Sequence, residues 1–397
     1  MKTNISRRSF VLGGTGVLAG LGLSSLVGCN GVGDMATTTA SSDGTLIAAS
    51  AYASDKIQPM PVLDMLSHAV SWHTYEGLYQ VDHATGDVYE GIAVGDPKKI
   101  DDFTYEIEIN ADKRFSDGSP VMPEIVISVF GKYMNNRIYG IVLDFIQSVA
   151  LSEGNKIKLN LKYPVDVELM KRRFCSMLIF KQGSSSNGAD ESWLGTGPYM
   201  LKNADGEDGH TVEFSPNGQY FGKKPPRAQS MHWHVRVDDD TRVKQLIDGA
   251  AAIVEDIPYR HIDELKQKGF EVKIQECYSM PSLIFNTSHA PFNDVRFRQA
   301  VLYAINDEKI IADLFHGYAE VPKSYLPAFN PNFHECQNVY GYNPTKAKEL
   351  LVDGGRPNLY FNLIINPTAG AETIIDEIKT NLAAVGITCN AKVEQIS

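Results

Sequence analysis

Cysteine is scarce in this 397-residue chain: five residues, at positions 29, 175, 277, 336 and 389, with no C-x-x-C pair and no spacing of a metal knuckle. A disulfide scaffold and a thiol-based redox enzyme are therefore excluded, and a protein this long buries cores without cross-links. Positive charge is also short, 37 Lys+Arg against 48 Asp+Glu, for a formal net charge of −11. No extended basic run follows the first eight residues, so nucleic acid is not the partner. Long apolar runs are missing beyond position 27, and mean hydropathy is −0.19, which rules out a multi-span membrane protein. Nor does a GxSxG, HExxH, Walker-type or GxGxxG element occur in a fitting context, so no cofactor and no catalytic set is expected. What is present is ordinary for a globular protein: 43% hydrophobic and 10% aromatic residues, including 18 Tyr and 17 Phe. That length predicts two to three domains.

The first 28 residues read as an export signal. Arg7 and Arg8 sit in Ser6-Arg7-Arg8-Ser9-Phe10-Val11, ahead of a mild apolar run from Val11 to Val27. A basic segment followed by an apolar one is a secretory leader, and the paired arginines resemble a twin-arginine signal. Leu26-Val27-Gly28-Cys29 resembles a bacterial lipobox, which implies cleavage before Cys29 and diacylglycerol on its sulfur. The mature protein then carries 34 basic against 48 acidic side chains, a formal −14. Residues 29–43, rich in Gly, Ser, Thr and Ala, form a flexible tether. The expected location is extracytoplasmic, periplasmic or at the cell surface, with the protein anchored to the membrane by lipid. The remaining Cys175, Cys277, Cys336 and Cys389 are expected as buried free thiols.

Beyond the tether, strands and helices interleave, giving an α/β or mixed α+β class. Strands are expected at 46–52, 103–109, 156–161, 212–214, 231–237, 272–275, 282–286 and 388–394, several of them alternating apolar and polar residues. Helices are expected at 62–73, 123–134, 241–248, 294–304, 307–316, 345–353 and 371–385. Ser119 is placed as the cap region of the 123–134 helix. In the 294–304 helix the apolar stripe is read as Val295, Gln299 or Ala300, Leu302 and Ala304, with Asn293 or Asp294 as cap.

Five stretches in order resemble the extracytoplasmic solute-binding proteins, family 5, of dipeptide, oligopeptide and nickel ABC importers. They are YEIEINADKRFSDGSPVMPEIVISV (105–129), GTGPYML (195–201), FNTSHAPFNDVRFRQAVLYAINDEKII (285–311), YNPTKAKELLVDGG (342–355) and IKTNLAAVGITCNAKV (378–393). The resemblance implies a two-lobed, periplasmic-binding-protein-like fold of the peptide-binding type, closing on solute by a hinge motion. It implies a first domain of residues 44–86 and 195–284, a second domain of 87–194 inserted into that lobe, and a third domain of 285–397. Family members commonly run on for more than a hundred residues, so the second lobe is expected to be incomplete and the sequence truncated at its C-terminal end. The family's amine-anchoring carboxylate would lie in that missing stretch.

The function so implied is that of a lipid-anchored binding component that delivers short peptides to an ABC permease and its ATPase, as a monomer and without chemistry. The alternatives are another solute (nickel chelate, opine or oligosaccharide), or a non-transporting surface lipoprotein, sensor or degenerate fragment. By position in the family map, Tyr52, Tyr139, Tyr278 and Met280 are candidates to face the cleft, where backbone contacts and aromatic edges suit peptides of varied side chains. His232-Trp233-His234 places two imidazoles on one strand face but lacks a third ligand, and no metal site is assigned. Asp238-Asp239-Asp240 lacks the spacing of a calcium loop and reads as a solvated turn. Ser128, His289 and Asp294 have no triad spacing, and Asp101-Asp102 reads as surface charge.

Overall fold

The computed structural model describes residues 44–60, 62, 64–183, 193–330, 332–365 and 371–393, with backbone alone at 371–373 and 393. The leader with Arg7 and Arg8, the lipobox Cys29 and the tether to residue 43 lie outside the described residues. Among the described residues no helix is long and apolar enough to cross a membrane.

The described part opens with β1 (Thr45–Ser50), and α1 (Met65–Thr74) follows. Asp64 caps α1 by accepting from the Ser67 amide at 2.7 Å. Then come β2 (Tyr79–Val81) and β3 (Val88–Glu90), a hairpin, and β4 (Ala93–Asp101) and β5 (Thr104–Ile109). In β5 the alternation of Thr-Tyr-Glu-Ile-Glu-Ile buries Tyr105, Ile107 and Ile109 on one face, as period-2 patterning requires. Next are α2 (Pro123–Met134), α3 (Tyr139–Val142), β6 (Ile146–Leu151), β7 (Lys156–Leu161), α4 (Val167–Phe174) and the short pair β8 (Lys181–Gln182) and β9 (Trp193–Leu194). Strands β4, β5, β7 and β6 form an antiparallel sheet in that order. Its core, with Phe115, Phe130, Tyr133, Phe145 and Phe174 fully buried, runs through residues 75–180.

The backbone then returns to β1 through β10 (Tyr199–Ala204), β11 (Thr211–Pro216), β12 (Ser230–Val235), α5 (Asp239–Ile247), β13 (Ile253–Val254) and α6 (Tyr259–Gln267). The resulting five-stranded sheet has the order β10-β11-β12-β1-β13, with β1 parallel to both β12 and β13 and a bulge in β10 between Leu201 and Asn203. Leu66 and Val70 of α1 pack on Val212, Phe214, Met231 and Val235 of this sheet, the first core in chain order; that of residues 75–180 is the second.

A third core is built by α7 (Val295–Ala304), α8 (Asp307–Leu314), α9 (Pro344–Asp353), β14 (Leu359–Ile365), α10 (Ala371–Ala383) and β15 (Ile387–Val393), with β14 and β15 parallel.

Some expectations are corrected. Residues 272–275 and 282–286 form no strand, because no neighbouring strand supplies a ladder there among the described residues. The buried stripe of α7 is Phe297, Ala300, Val301 and Ala304, while Val295 is exposed; the i, i+3, i+4, i+7 set starts two residues later than read. Asp294 does cap that helix, accepting from the Arg296 amide at 2.9 Å. Ser119 caps nothing: α2 starts at Pro123 without a side-chain cap, and the Ser119 hydroxyl donates to Asp117 at 2.6 Å and accepts from Lys181. Of the four thiols, only Cys389 is buried; Cys175 is half-buried, Cys277 and Cys336 are exposed, and all four are free. Asp238 is the cap of α5, accepting from the Thr241 amide at 2.8 Å, rather than part of a loose turn.

Among the described residues, two neighbouring contacts that join the first core to the second stand out. Gly195 and Gly197 pass so close to the end of α1 that an added Cβ would sit 2.0 Å from the Thr74 carbonyl oxygen and 2.5 Å from the Thr74 carbonyl carbon respectively. Only glycine fits that crossing. Beside it, Lys113 and Glu76 form a buried ion pair under the ring of Tyr220, 5.5 Å from the Lys113 ammonium.

Candidate functional site

Parallel strands β1, β12 and β13 end at one edge of the five-stranded sheet, and in open α/β sheets ligands bind outside the carboxyl ends of such strands. Three short segments leave that edge: Ser50-Ala51-Tyr52, Arg236 to Asp240, and Glu255-Asp256. They are tied together by backbone bonds, Arg236 N to Ser50 O at 2.8 Å and Glu255 N to Ala49 O at 3.2 Å. Glu255 accepts from the Ser50 hydroxyl and from the Ala51 amide (3.2 Å). The Tyr52 hydroxyl donates to Asp256 Oδ2 at 3.2 Å. Burial, with the negative charge of Asp256 next in weight, pushes the Tyr52 phenol up to about 12, so it remains a donor at neutral pH.

Arg242, at the start of the second turn of α5, holds this edge in shape. Its side chain is 2% exposed. Its Nε donates to the Glu255 carbonyl (3.2 Å), Nη1 to those of Arg236 and Val237 (2.9 Å each), and Nη2 to Asp239 Oδ1 and the Asp256 carbonyl (2.8 Å each). A buried guanidinium is tolerated only when its donors are satisfied in this way. The same grip holds Asp256 at φ 50°, the left-handed region, which aims its carboxylate at Tyr52. The surface offered is a phenol and two carboxylates, suited to donors such as an ammonium or amide N–H.

The other sequence candidates have separate partners. Tyr139 on α3 accepts from the Val62 amide at 3.4 Å and packs edge-on to Tyr133 at 4.9 Å, against the second core. Tyr278 is exposed and meets the ring of Phe329 at 4.9 Å, and Asn330 donates to its hydroxyl at 3.1 Å. The Met280 carbonyl accepts from the Ser282 hydroxyl at 3.1 Å. No hydrogen bond or ring contact joins Tyr52, Tyr139 and Tyr278 among the described residues. The third core meets the first through α6: Tyr259 lies 5.4 Å from Phe315 and stacks on Tyr318 at 5.9 Å, three residues along from Asp256.

Sequence reasoning did not find Arg242, Glu255 and Asp256. A lone Arg on a helix and an acidic pair after a two-residue strand carry no motif. What brings them together is the parallel pairing of β1 with β12 and β13, which no local pattern announces. His232 and His234 do not become a metal centre: His234 Nδ1 lies 3.2 Å from Gln245 Oε1, and no third ligand gathers beside the pair among the described residues.

A polar edge at the carboxyl ends of parallel strands, and three cores of which two meet at tight glycine crossings, make a mixed α/β protein with a periplasmic-binding-protein-like fold. Residues 87–396 match the bacterial extracellular solute-binding proteins, family 5, and the protein belongs to that family. It is 26% identical over 345 residues to the glutathione-binding protein GsiB of Salmonella choleraesuis (strain SC-B67), covering 83% of this sequence and 66% of that protein. The Escherichia coli (strain K12) protein of the same name is 25% identical over the same span. The sequence thus spans about two thirds of the length of these curated relatives. The fold matches NikA of Staphylococcus aureus in complex with Ni(L-His)2, with TM-score 0.74 at 18% identity, covering 88% of this protein and 74% of that one. It also matches DppA of Helicobacter pylori in complex with the peptide STSA, with TM-score 0.72 at 19% identity and the same coverage. The mixed α/β class and the peptide-type binding-protein fold expected from the sequence are those observed.

Proposed function

We propose that this protein is the solute-binding component of an ABC importer, taking short peptides at the carboxyl edge of β1, β12 and β13 and passing them to a membrane permease driven by an ATPase. The observation that carries this reading is the Tyr52–Asp256–Glu255 edge held by Arg242, a set of acceptors suited to a ligand's N–H groups in a member of this family. Tyr139, Tyr278 and Met280 are kept as proposed contacts for the bound solute, each with its own partners in this structure. Three separate cores support three domains, taken as 44–86 with 195–284, an inserted 87–194 and 285–397; the core of the inserted part also takes in Tyr75, Leu78 and Tyr79. The leader motif and Cys29 support a lipid anchor at a membrane surface outside the cytoplasm, periplasmic or at the cell surface. A monomer that binds and releases solute without catalysis completes the proposal.

The test is a thermal melt of the protein from Asn30 onward with a pool of di- to pentapeptides, with glutathione, and with nickel plus histidine. Ligand at 100 times its Kd stabilises by about 2.7 kcal/mol. A rise with peptides that is lost in Tyr52→Phe and Asp256→Asn supports the reading. A rise with nickel and histidine alone replaces the solute, and no rise with any of the three overturns the binding role.

A further inference from the structure

We infer that the β10–β11 hairpin of the first domain is a surface site for a divalent transition-metal ion of the zinc or nickel type, with Asp205, Glu207 and His210 as its ligands. These residues, spaced as D-x-E-x-x-H, each offer one donor atom, and the three donors lie within 4.8 Å of one another. A tetrahedral ion with ligands at about 2.1 Å holds its donors roughly 3.4 Å apart, so small side-chain rotations close the set. The donor set is one imidazole and two carboxylates, which suits zinc and its neighbours; calcium wants six or more oxygens.

The simplest competing account is a surface ion pair, and it covers only part of the cluster. His210 Nδ1 lies 2.7 Å from Asp205 Oδ2, which satisfies those two. Glu207 is exposed and free to swing away from a like charge, yet its carboxylate converges on Asp205 without a side-chain partner among the described residues. The guanidinium of Arg236 is held on the loop's backbone, its Nη1 donating to the carbonyls of His210 (3.2 Å) and Val235 (2.6 Å), and it makes no ion pair with Glu207 among the described residues.

The loop is also fixed from both sides, so little ordering remains to be done on binding. Gly209 N donates to Val235 O at 3.0 Å, His210 N to Glu207 O at 3.1 Å, and Val235 N to His210 O at 3.0 Å. Asp208 Oδ1 accepts from the Val237 amide at 3.0 Å, so the remaining acid of the loop is already engaged. On the other side, Ser54 N donates to Gly206 O at 2.9 Å, and a Cβ on Gly206 would meet the Ser54 carbonyl oxygen at 2.7 Å. The open positions on the ion would remain for water or for a donor from another molecule.

The test is isothermal titration of the protein from Asn30 onward with zinc chloride, and separately with nickel chloride, in a buffer without chelating groups. One saturable equivalent is expected, with affinity falling at least tenfold in His210→Ala and in Asp205→Asn, and unchanged in His232→Gln/His234→Gln. Melts without metal check that each variant is folded. Glu207→Gln, at an exposed position, repeats the test should either of the first two unfold. Absence of a saturable equivalent, or equal affinity in folded His210→Ala or folded Glu207→Gln, overturns the assignment.

Discussion

The ammonium of Lys113 stands 2.7 Å from both carboxylate oxygens of Glu76, with the two side chains 4% and 5% exposed. Burial pushes the Glu76 carboxyl above its ordinary value, and Lys113 opposes that push. The pair is buried beside the glycine crossing, away from water, so each partner is needed to neutralise the other. Lys113→Met should cost about 3–5 kcal/mol, because it leaves a charge buried alone. Lys113→Met/Glu76→Leu should recover most of that loss in urea denaturation. A double variant no more stable than the single one would show that the pair is not the source.

Arg242→Met should destabilise the protein by about 3 kcal/mol or more, since four carbonyls and one carboxylate lose a buried donor together. Asp256→Gly should leave stability within about 1 kcal/mol, because glycine accepts the left-handed backbone while adding entropy to the unfolded state. The same change removes the acceptor of Tyr52, so ligand-induced stabilisation should shrink even though the melt without ligand does not move.

His73 gives stability a pH dependence of definite sign. Burial lowers its pKa below 6.5, with its Nδ1 at 2.8 Å from the Ala69 carbonyl and its ring edge-on to Trp233 at 5.0 Å. The unfolded state therefore takes up a proton at a pH where the folded state does not. His73's contribution is complete above pH 6.5 and falls as pH drops below it. Denaturation midpoints from about pH 7.5 to about pH 5 should decline less steeply in His73→Gln; parallel curves would rule His73 out.

Gly195→Ala should cost several kcal/mol, about what forced backbone displacement costs in a packed interior, because the clash is with the backbone of Thr74 rather than a movable side chain. Gly86→Ala is the control: its φ of 75° strains alanine, but no atom lies within 4 Å of the new Cβ. The control should lose about 1–2 kcal/mol. Equal losses would mean that conformation, not space, decides both.

The scaffold was legible where a segment makes its own pattern. The alternation of β5, the Pro-initiated α2 and the Asp-capped α7 each carry local signals, and the ordered motifs around them carried the family. The stripe of α7 was read out of phase because Phe297 lies between Arg296 and Arg298 and resembled part of a polar face. Strand β14 was passed over because Leu-Tyr-Phe-Asn-Leu-Ile-Ile reads as a nearly continuous apolar run, and only pairing with β15 makes it a strand. The site was least legible of all. Tyr52 and Asp256 are 204 residues apart, and nothing local to either announces the other. Their meeting follows from β1 lying between β12 and β13, a fact of topology.

Among the described residues, the outermost strands of the five-stranded sheet are β13, two residues long, and β10, which carries a bulge. An extracytoplasmic protein anchored as proposed above meets its own copies at high local density, where an open, flat outer strand is a template for adding another molecule. Two residues present too few amide and carbonyl groups to start such a ladder, and a bulge throws the next strand out of register. These two strands are therefore poor templates, and crowding alone should not start a fibre from either of them.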